Sequence, residues 1–336
     1  MNAAYDAVLV VSFGGPEGRE EVMPFLQNVL RGRNIPESRL REVAHHYELF
    51  AGVSPLNAQN RALIAALEKK LQASGPHLPI YWGNRNWHPL FADTLAQMKK
   101  DGIRRALAFF TSAYSSYSGC RQYREDIQRA QEVVGPGGPE VEKLRPFYNH
   151  PGFIEPMAEN LQAALEKIPE SRRQAAALAF TAHSIPQSMA SGCVYEAQLR
   201  ETCQLVAAQA SAQRWQLVYQ SRSGPPSHPW LEPDILQHLA KLKQQGIEDV
   251  VVAPIGFVSD HMEVIYDLDT EARTLCDSLG LNMVRAKTVG THPLFVEMIR
   301  ELILERTSPQ PVRRALGTRG PSPDICPVDC CLVGGR

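Results

Sequence analysis

Val250-Val251-Val252-Ala253-Pro254-Ile255-Gly256-Phe257-Val258-Ser259-Asp260-His261-Met262-Glu263 joins an apolar run to a polar segment carrying two carboxylates and a histidine. The run, Val250 to Ile255, reads as a strand buried on both faces, as in a parallel sheet. In open α/β sheets, ligands bind just beyond the carboxyl ends of the strands. A second segment of this kind lies upstream, where Ala176-Ala177-Leu178-Ala179-Phe180 leads into Thr181-Ala182-His183-Ser184-Ile185-Pro186. Two strand ends, each delivering a residue able to handle protons or a metal, suggest one site.

Working outward, the same alternation recurs along the chain. Ala7-Val8-Leu9-Val10-Val11 ends in the Gly-rich turn Ser12-Phe13-Gly14-Gly15-Pro16, and helical periodicity follows at Val22, Phe25, Leu26 and Leu30. Further strands are expected at 79–83 and 105–110, the latter closing the first series. In the second half, helices at 153–167, 195–212 and 234–245 precede strands at 176–180, 215–219 and 249–255. Alternating β and α elements imply parallel sheets covered on both faces. The fold expected is α/β, with two similar Rossmann-like lobes and an active-site cleft between them. The lobes are read as 1–150 and 151–306, with the last helix able to pack back on the first lobe. From about Thr307 the chain is rich in Ser, Pro, Arg and Gly, so 307–336 is expected to be a tail without a core helix or a packing role.

Composition narrows the function classes. The 336 residues carry a formal net charge of −1 and 21% charged side chains, which suggests neither a nucleic-acid partner nor a disordered solvating chain. No apolar stretch reaches membrane-spanning length and no basic-then-apolar leader opens the sequence, so no integral membrane segment and a cytoplasmic location are expected. The seven cysteines do not have the spacing of a small disulfide framework.

His183 is the first candidate for chemistry, since an imidazole with an ordinary pKa near ~6.5 takes up and releases protons around neutrality. A buried histidine satisfied by a backbone carbonyl is the alternative. Asp260 and Glu263, three residues apart, share a face if a helix begins there, and Asp267 and Glu271 continue the series at four-residue steps. Such an acidic ridge is either a solvated helix face or a set of hard oxygen ligands for a hydrated divalent cation. His261, one position off that face, is read as structural. Arg31 and Arg33 suit carboxylate recognition through paired hydrogen bonds, or a favourable charge at a helix C-terminus. Arg121, Tyr123 and Ser54 are further binding candidates. Cys326, Cys330 and Cys331 supply three thiols, and a [2Fe–2S] cluster needs four ligands. Free thiols or a zinc site would fit the same cysteines.

The segments Phe180–Pro186, Tyr219–Ile235 and Pro254–Asp269, with Ser12-Phe13-Gly14-Gly15, Gly52–Asn57 and Thr111–Asp126, resemble the ferrochelatase family from Ala7 to about Arg306. The resemblance implies a type II chelatase-like fold and a lyase that inserts ferrous iron into a porphyrin with loss of two pyrrole protons. His183 would receive pyrrole protons and Glu263 would stand opposite it. His183, Glu263, Asp267 and Glu271 would handle the metal, Asp260 would assist catalysis, and Phe13, Phe257 and the Arg, Ser and Tyr candidates would line the porphyrin. The opening Ser-Phe-Gly-Gly and the Val29-Leu30-Arg31-Gly32-Arg33 run look most like actinobacterial-type enzymes, which take coproporphyrin III. Some coproporphyrin enzymes carry a tyrosine where this chain has Phe13, and a phenyl ring cannot ligate iron. Several ferrochelatases hold a [2Fe–2S] cluster with three C-terminal cysteines and one upstream, a position near Cys120 here. Porphyrin and ferrous iron are the implied partners, with other haem-pathway enzymes. The competing readings are a protoporphyrin IX enzyme, a cobalt chelatase for precorrin-type rings, and a porphyrin or haem carrier without turnover. A nucleotide-binding enzyme is discounted because no G-x-G-x-x-G or P-loop pattern follows the first strand.

Overall fold

A computed structural model describes residues 5–32, 36–212, 214–224 and 227–333. Its chain divides into two units: 1–111 with 122–144 and 299–311, and 112–121 with 145–298 and 312–336.

The first unit holds a four-stranded sheet of β1 (Ala7–Ser12), β2 (Ile80–Asn84), β3 (Arg105–Phe110) and β4 (Glu140–Lys143), in the order β2-β1-β3-β4. All its pairings are parallel. Leu9, Val11, Ala108 and Phe110 meet Leu95, Met98 and Ile127 of the covering helices in one buried cluster. The turn after β1 needs a residue without a side chain at Gly14: its φ is +81°, and a Cβ there would stand 3.0 Å from the Trp87 backbone nitrogen. The expected series ended at β3, whereas β4 adds a fourth strand. Its sequence, Glu-Val-Glu-Lys, has no apolar run because it is a short edge strand with an exposed first residue.

The second unit repeats the arrangement with β5 (Ala177–His183), β6 (Trp215–Gln220), β7 (Asp249–Ala253) and β8 (Asn282–Arg285), in the order β6-β5-β7-β8 and again all parallel. β5 runs on to His183, which pairs with Gln220, three residues beyond the expected end. β8 was not expected, for the reason given for β4. Ala179, Val218, Val250 and Val252 pack with Leu239, Val264, Leu268 and Cys276 in the core of this unit. In both sheets the chain leaves the first strand for one side and returns on the other. The switch points therefore fall between β1 and β3 and between β5 and β7, which is where doubly wound sheets bind ligands.

The tail packs, contrary to expectation. Arg145 is 2% exposed and its Nη2 donates to the Arg314 carbonyl at 2.8 Å. Asn149 Nδ2 donates to the carbonyls of Leu316 and Gly320 at 3.1 and 2.9 Å, and Glu201 Oε1 accepts from the Thr318 amide at 3.0 Å. A segment with no apolar periodicity is thus held through its backbone by buried polar side chains, a signal that hydrophobic patterning does not carry.

Candidate active site

The β5–β7 switch point brings His183 and Glu263 together. His183 ends β5, and Glu263 lies in the first turn of the helix Met262–Tyr266 that follows β7. The loop between β7 and that helix closes tightly over β5. Gly256 N donates to the Thr181 carbonyl at 2.9 Å, and a Cβ at Gly256 would stand 2.7 Å from Ala182 Cα. His183 Nε2 lies 3.4 Å from Glu263 Oε1, with both side chains partly open to solvent. The other ring nitrogen, Nδ1, is 2.5 Å from the Ser184 carbonyl oxygen. A carbonyl only accepts, so Nδ1 carries hydrogen and Nε2 is left to face the carboxylate.

The electrostatics follow from this pairing. Burial works against a charge on His183, but the Glu263 carboxylate and the Ser184 carbonyl hold its pKa up to about 9. Desolvation by the surrounding protein opposes ionisation of Glu263 even though its side chain is 48% exposed, and the facing His183 overrides it, bringing the carboxyl down to about 2. At neutral pH the pair is an imidazolium facing a carboxylate. Asp267 behaves in the opposite way. Burial raises it to about 7 against the Ser221 hydroxyl bond, with the Glu263 and Glu271 charges adding to the rise. Ser221 Oγ donates to Asp267 Oδ2 in a short hydrogen bond, and Gln220 Nε2 donates to the same oxygen at 3.3 Å. Gln220 Nε2 also donates to the Glu263 carbonyl at 2.8 Å, tying the end of β6 to the helix after β7. Gln220 and Ser221 lie within the segment Tyr219–Ile235 that carries the family resemblance, but nothing in the sequence singles them out as site residues.

The other candidates are distributed differently. The helix begins at Met262 with His261 as its N-cap, so Asp260 lies outside it and pairs with Arg285 Nη1 at 3.1 Å. His261 Nδ1 accepts from the Glu263 amide at 3.2 Å and lies 3.9 Å from Glu263 Oε2, so this structural residue also borders the pair. Residues Asp267–Ala272 form a π-helical turn. The wider turn breaks the straight four-residue ridge, leaving Asp267 half-buried and Glu271 exposed. Phe257 is buried in the core of the second unit with its ring edge-on to His261 at 4.7 Å. Arg121 Nη1 donates to the Val328 and Cys330 carbonyls, both at 2.8 Å, and so serves the tail.

In the first unit, Phe13 is half-buried against Phe25, 6.3 Å between ring centroids. Tyr123 is buried in the core cluster beside Phe110, with Arg85 over its ring. Ser54 is buried and its Oγ accepts from the Leu56 amide at 3.4 Å, at the start of a helix. Arg31 is exposed after the helix Arg19–Val29, and Arg33 lies outside the described residues.

The cysteines gather on the second unit. Burial pushes the Cys331 thiol up to about 12, and Cys330, Cys193, Cys120 and Cys326 add to the rise. Cys120, Cys326, Cys330 and Cys331 are four thiols, the ligand type and number that a [2Fe–2S] cluster takes. Among the described residues, however, no three His, Cys, Asp or Glu side chains form a group that could hold a metal ion as placed. Nor, among them, is any helix long and apolar enough to cross a membrane.

Known proteins resemble this chain along nearly its whole length. Residues 5–307 match the family model for ferrochelatase. A protein named ferrochelatase from Rhodopirellula baltica is 60% identical over 99% of this chain and 95% of its own length. One named coproporphyrin III ferrochelatase from Streptomyces griseus is 52% identical over 98% of this chain and 94% of its own, and one from Nocardia farcinica with the same name is 49% identical over 99% and 98%. Among solved structures, SirB from Bacillus subtilis with Fe3+ superposes with a TM-score of 0.56 at 11% identity, covering 91% of this chain and 98% of that one. At that identity the likeness concerns the fold alone.

Proposed function

Since this chain belongs to the ferrochelatase family, we propose that it inserts ferrous iron into coproporphyrin III to give coprohaem, as a lyase of haem biosynthesis. The observation that carries the reading is the His183–Glu263 pair at 3.4 Å, placed at the switch point of a doubly wound sheet. The substrate is inferred from the names of relatives such as those from Streptomyces griseus and Nocardia farcinica.

Metallation releases two protons from the pyrrole nitrogens as Fe2+ takes their place, with no change in oxidation state. His183 holds a proton at neutral pH, so it must release that proton before it can accept one from the ring. Glu263 at 3.4 Å and the Asp267 carboxyl, which titrates at about 7, form the adjoining acidic groups through which protons leave. The same carboxylate oxygens offer hard ligands to an incoming ferrous ion. Exposed Arg31 suits a propionate of the substrate. A chelatase consumes ferrous iron and porphyrin far beyond the protein concentration, so loss of porphyrin fluorescence under anaerobic conditions should continue for many turnovers. Quenching that stops at one equivalent would identify a carrier instead.

Cys120, Cys326, Cys330 and Cys331 are the residues that would hold a [2Fe–2S] cluster, which supplies one-electron redox chemistry when bound. Iron insertion exchanges no electrons, and no step above runs through it. Aerobically purified protein is expected to show visible absorption that Cys330→Ser abolishes. Colourless, iron-free protein would end the proposal.

A further inference from the structure

Two buried tyrosines stand behind the His183–Glu263 pair, and their hydroxyls meet the two strand ends that carry it. Tyr195 Oη donates to the His183 carbonyl at 3.0 Å, and Tyr114 Oη donates to the Ile255 carbonyl at 2.8 Å. The rings pack edge to face, 6.0 Å between centroids at 88°, and the side chains are 6% and 2% exposed. We propose that Tyr195 and Tyr114 are positioning residues that fix the spacing between His183 and Glu263 for the metallation reaction. The inference rests on the function proposed above.

The peptide unit joining His183 to Ser184 is held at both ends. Its carbonyl accepts from Tyr195 Oη, and its amide donates to the Gln220 carbonyl at 2.8 Å. Ser184 is fixed further by its hydroxyl, which donates to the Leu231 carbonyl at 2.9 Å. Ser184 is thus anchored through its amide and its hydroxyl, and its carbonyl, which opens the next peptide unit, receives Nδ1–H while the ring presents Nε2 to Glu263. On the other side, Tyr114 holds the Ile255 carbonyl, and the next residue, Gly256, donates to Thr181 of β5. The loop leading to Glu263 is therefore registered against the strand leading to His183. A buried tyrosine needs a partner for its hydroxyl, and a bond to any carbonyl would meet that need. Here the two carbonyls chosen are those at the strand ends bearing the pair, and the rings that present the hydroxyls touch.

Replacement by phenylalanine tests this, because it keeps the packed ring and deletes only the hydrogen bond. Tyr219 supplies the control: it is 1% exposed, and its hydroxyl has no hydrogen-bond partner among the described residues. Steady-state metallation by Tyr195→Phe and Tyr114→Phe is expected to show kcat lowered about tenfold, the rate equivalent of one net hydrogen bond, with KM for porphyrin within about twofold of the parent. Tyr219→Phe should keep the parental kcat. A parental kcat in Tyr195→Phe, or an equal fall in Tyr219→Phe, would overturn the inference. His183→Ala is assayed beside them. If it is inactive while Tyr195→Phe is unimpaired, the positioning role alone fails. If His183→Ala still metallates at the parental rate, the role of His183 fails and the positioning role with it.

Discussion

His183→Ala is expected to bind porphyrin as tightly as the parent protein and to insert iron at about one-thousandth of its rate, within the span typical of a lost general base. The imidazole is the group that ends β5, and its Nδ1 is committed to the Ser184 carbonyl, so Nε2 is the nitrogen available for proton exchange. Alanine leaves the strand pairing of residue 183 with Gln220 intact, because that pairing is made by the backbone. The loss should therefore fall on kcat rather than on porphyrin affinity, which fluorescence quenching measures separately. A variant that retains more than a tenth of the parental rate would remove His183 from the reaction.

Glu263→Gln should cost about a hundredfold in rate and change the titration of its partner. Burial works against the His183 charge, and the Glu263 carboxylate is the largest influence raising it to about 9. With a neutral amide in place of the carboxylate, burial is left less opposed and the His183 pKa falls. The sign for stability follows from linkage: a histidine with a raised folded pKa stabilises the fold fully below its ordinary pKa, and that contribution disappears as pH rises through about 9. Depressed Glu263 contributes above the ordinary carboxylate range and loses its part as pH falls through about 2. Parent and Glu263→Gln should thus differ most in Tm above the ordinary carboxylate range and below the ordinary histidine pKa of ~6.5, and converge above pH 9. Histidine NMR titration checks the shift directly, and an unchanged His183 pKa in the variant would contradict the pairing. In the parent, the rate should rise with pH as the imidazolium gives up its proton.

Much of this arrangement was legible in the sequence because buried parallel strands announce themselves as apolar runs. β1, β3, β5 and β7 are such runs, and His183 and Glu263 were found by standing just past two of them. The edge strands β4 and β8 were missed because Glu-Val-Glu-Lys and Asn-Met-Val-Arg bury too little to need apolar patterning. The acidic ridge was drawn on α-helical spacing, which the π-helical turn at Asp267–Ala272 alters, and no residue type in that stretch signals the wider turn. Asp260 shared the spacing of Glu263 but not its helix, because the cap falls at His261. The partners that tune Asp267 and orient His183 lie far along the chain, at Ser221, Gln220 and Tyr195. Tertiary hydrogen bonds of this kind leave no periodic mark. The same holds for the tail, anchored through its backbone by Arg145, Asn149 and Glu201.

The most direct test is anaerobic ferrous-iron insertion by the purified protein, with coproporphyrin III and protoporphyrin IX in parallel. The expected result is many turnovers with coproporphyrin III and little with protoporphyrin IX. Tight binding of either porphyrin without insertion of iron would contradict it.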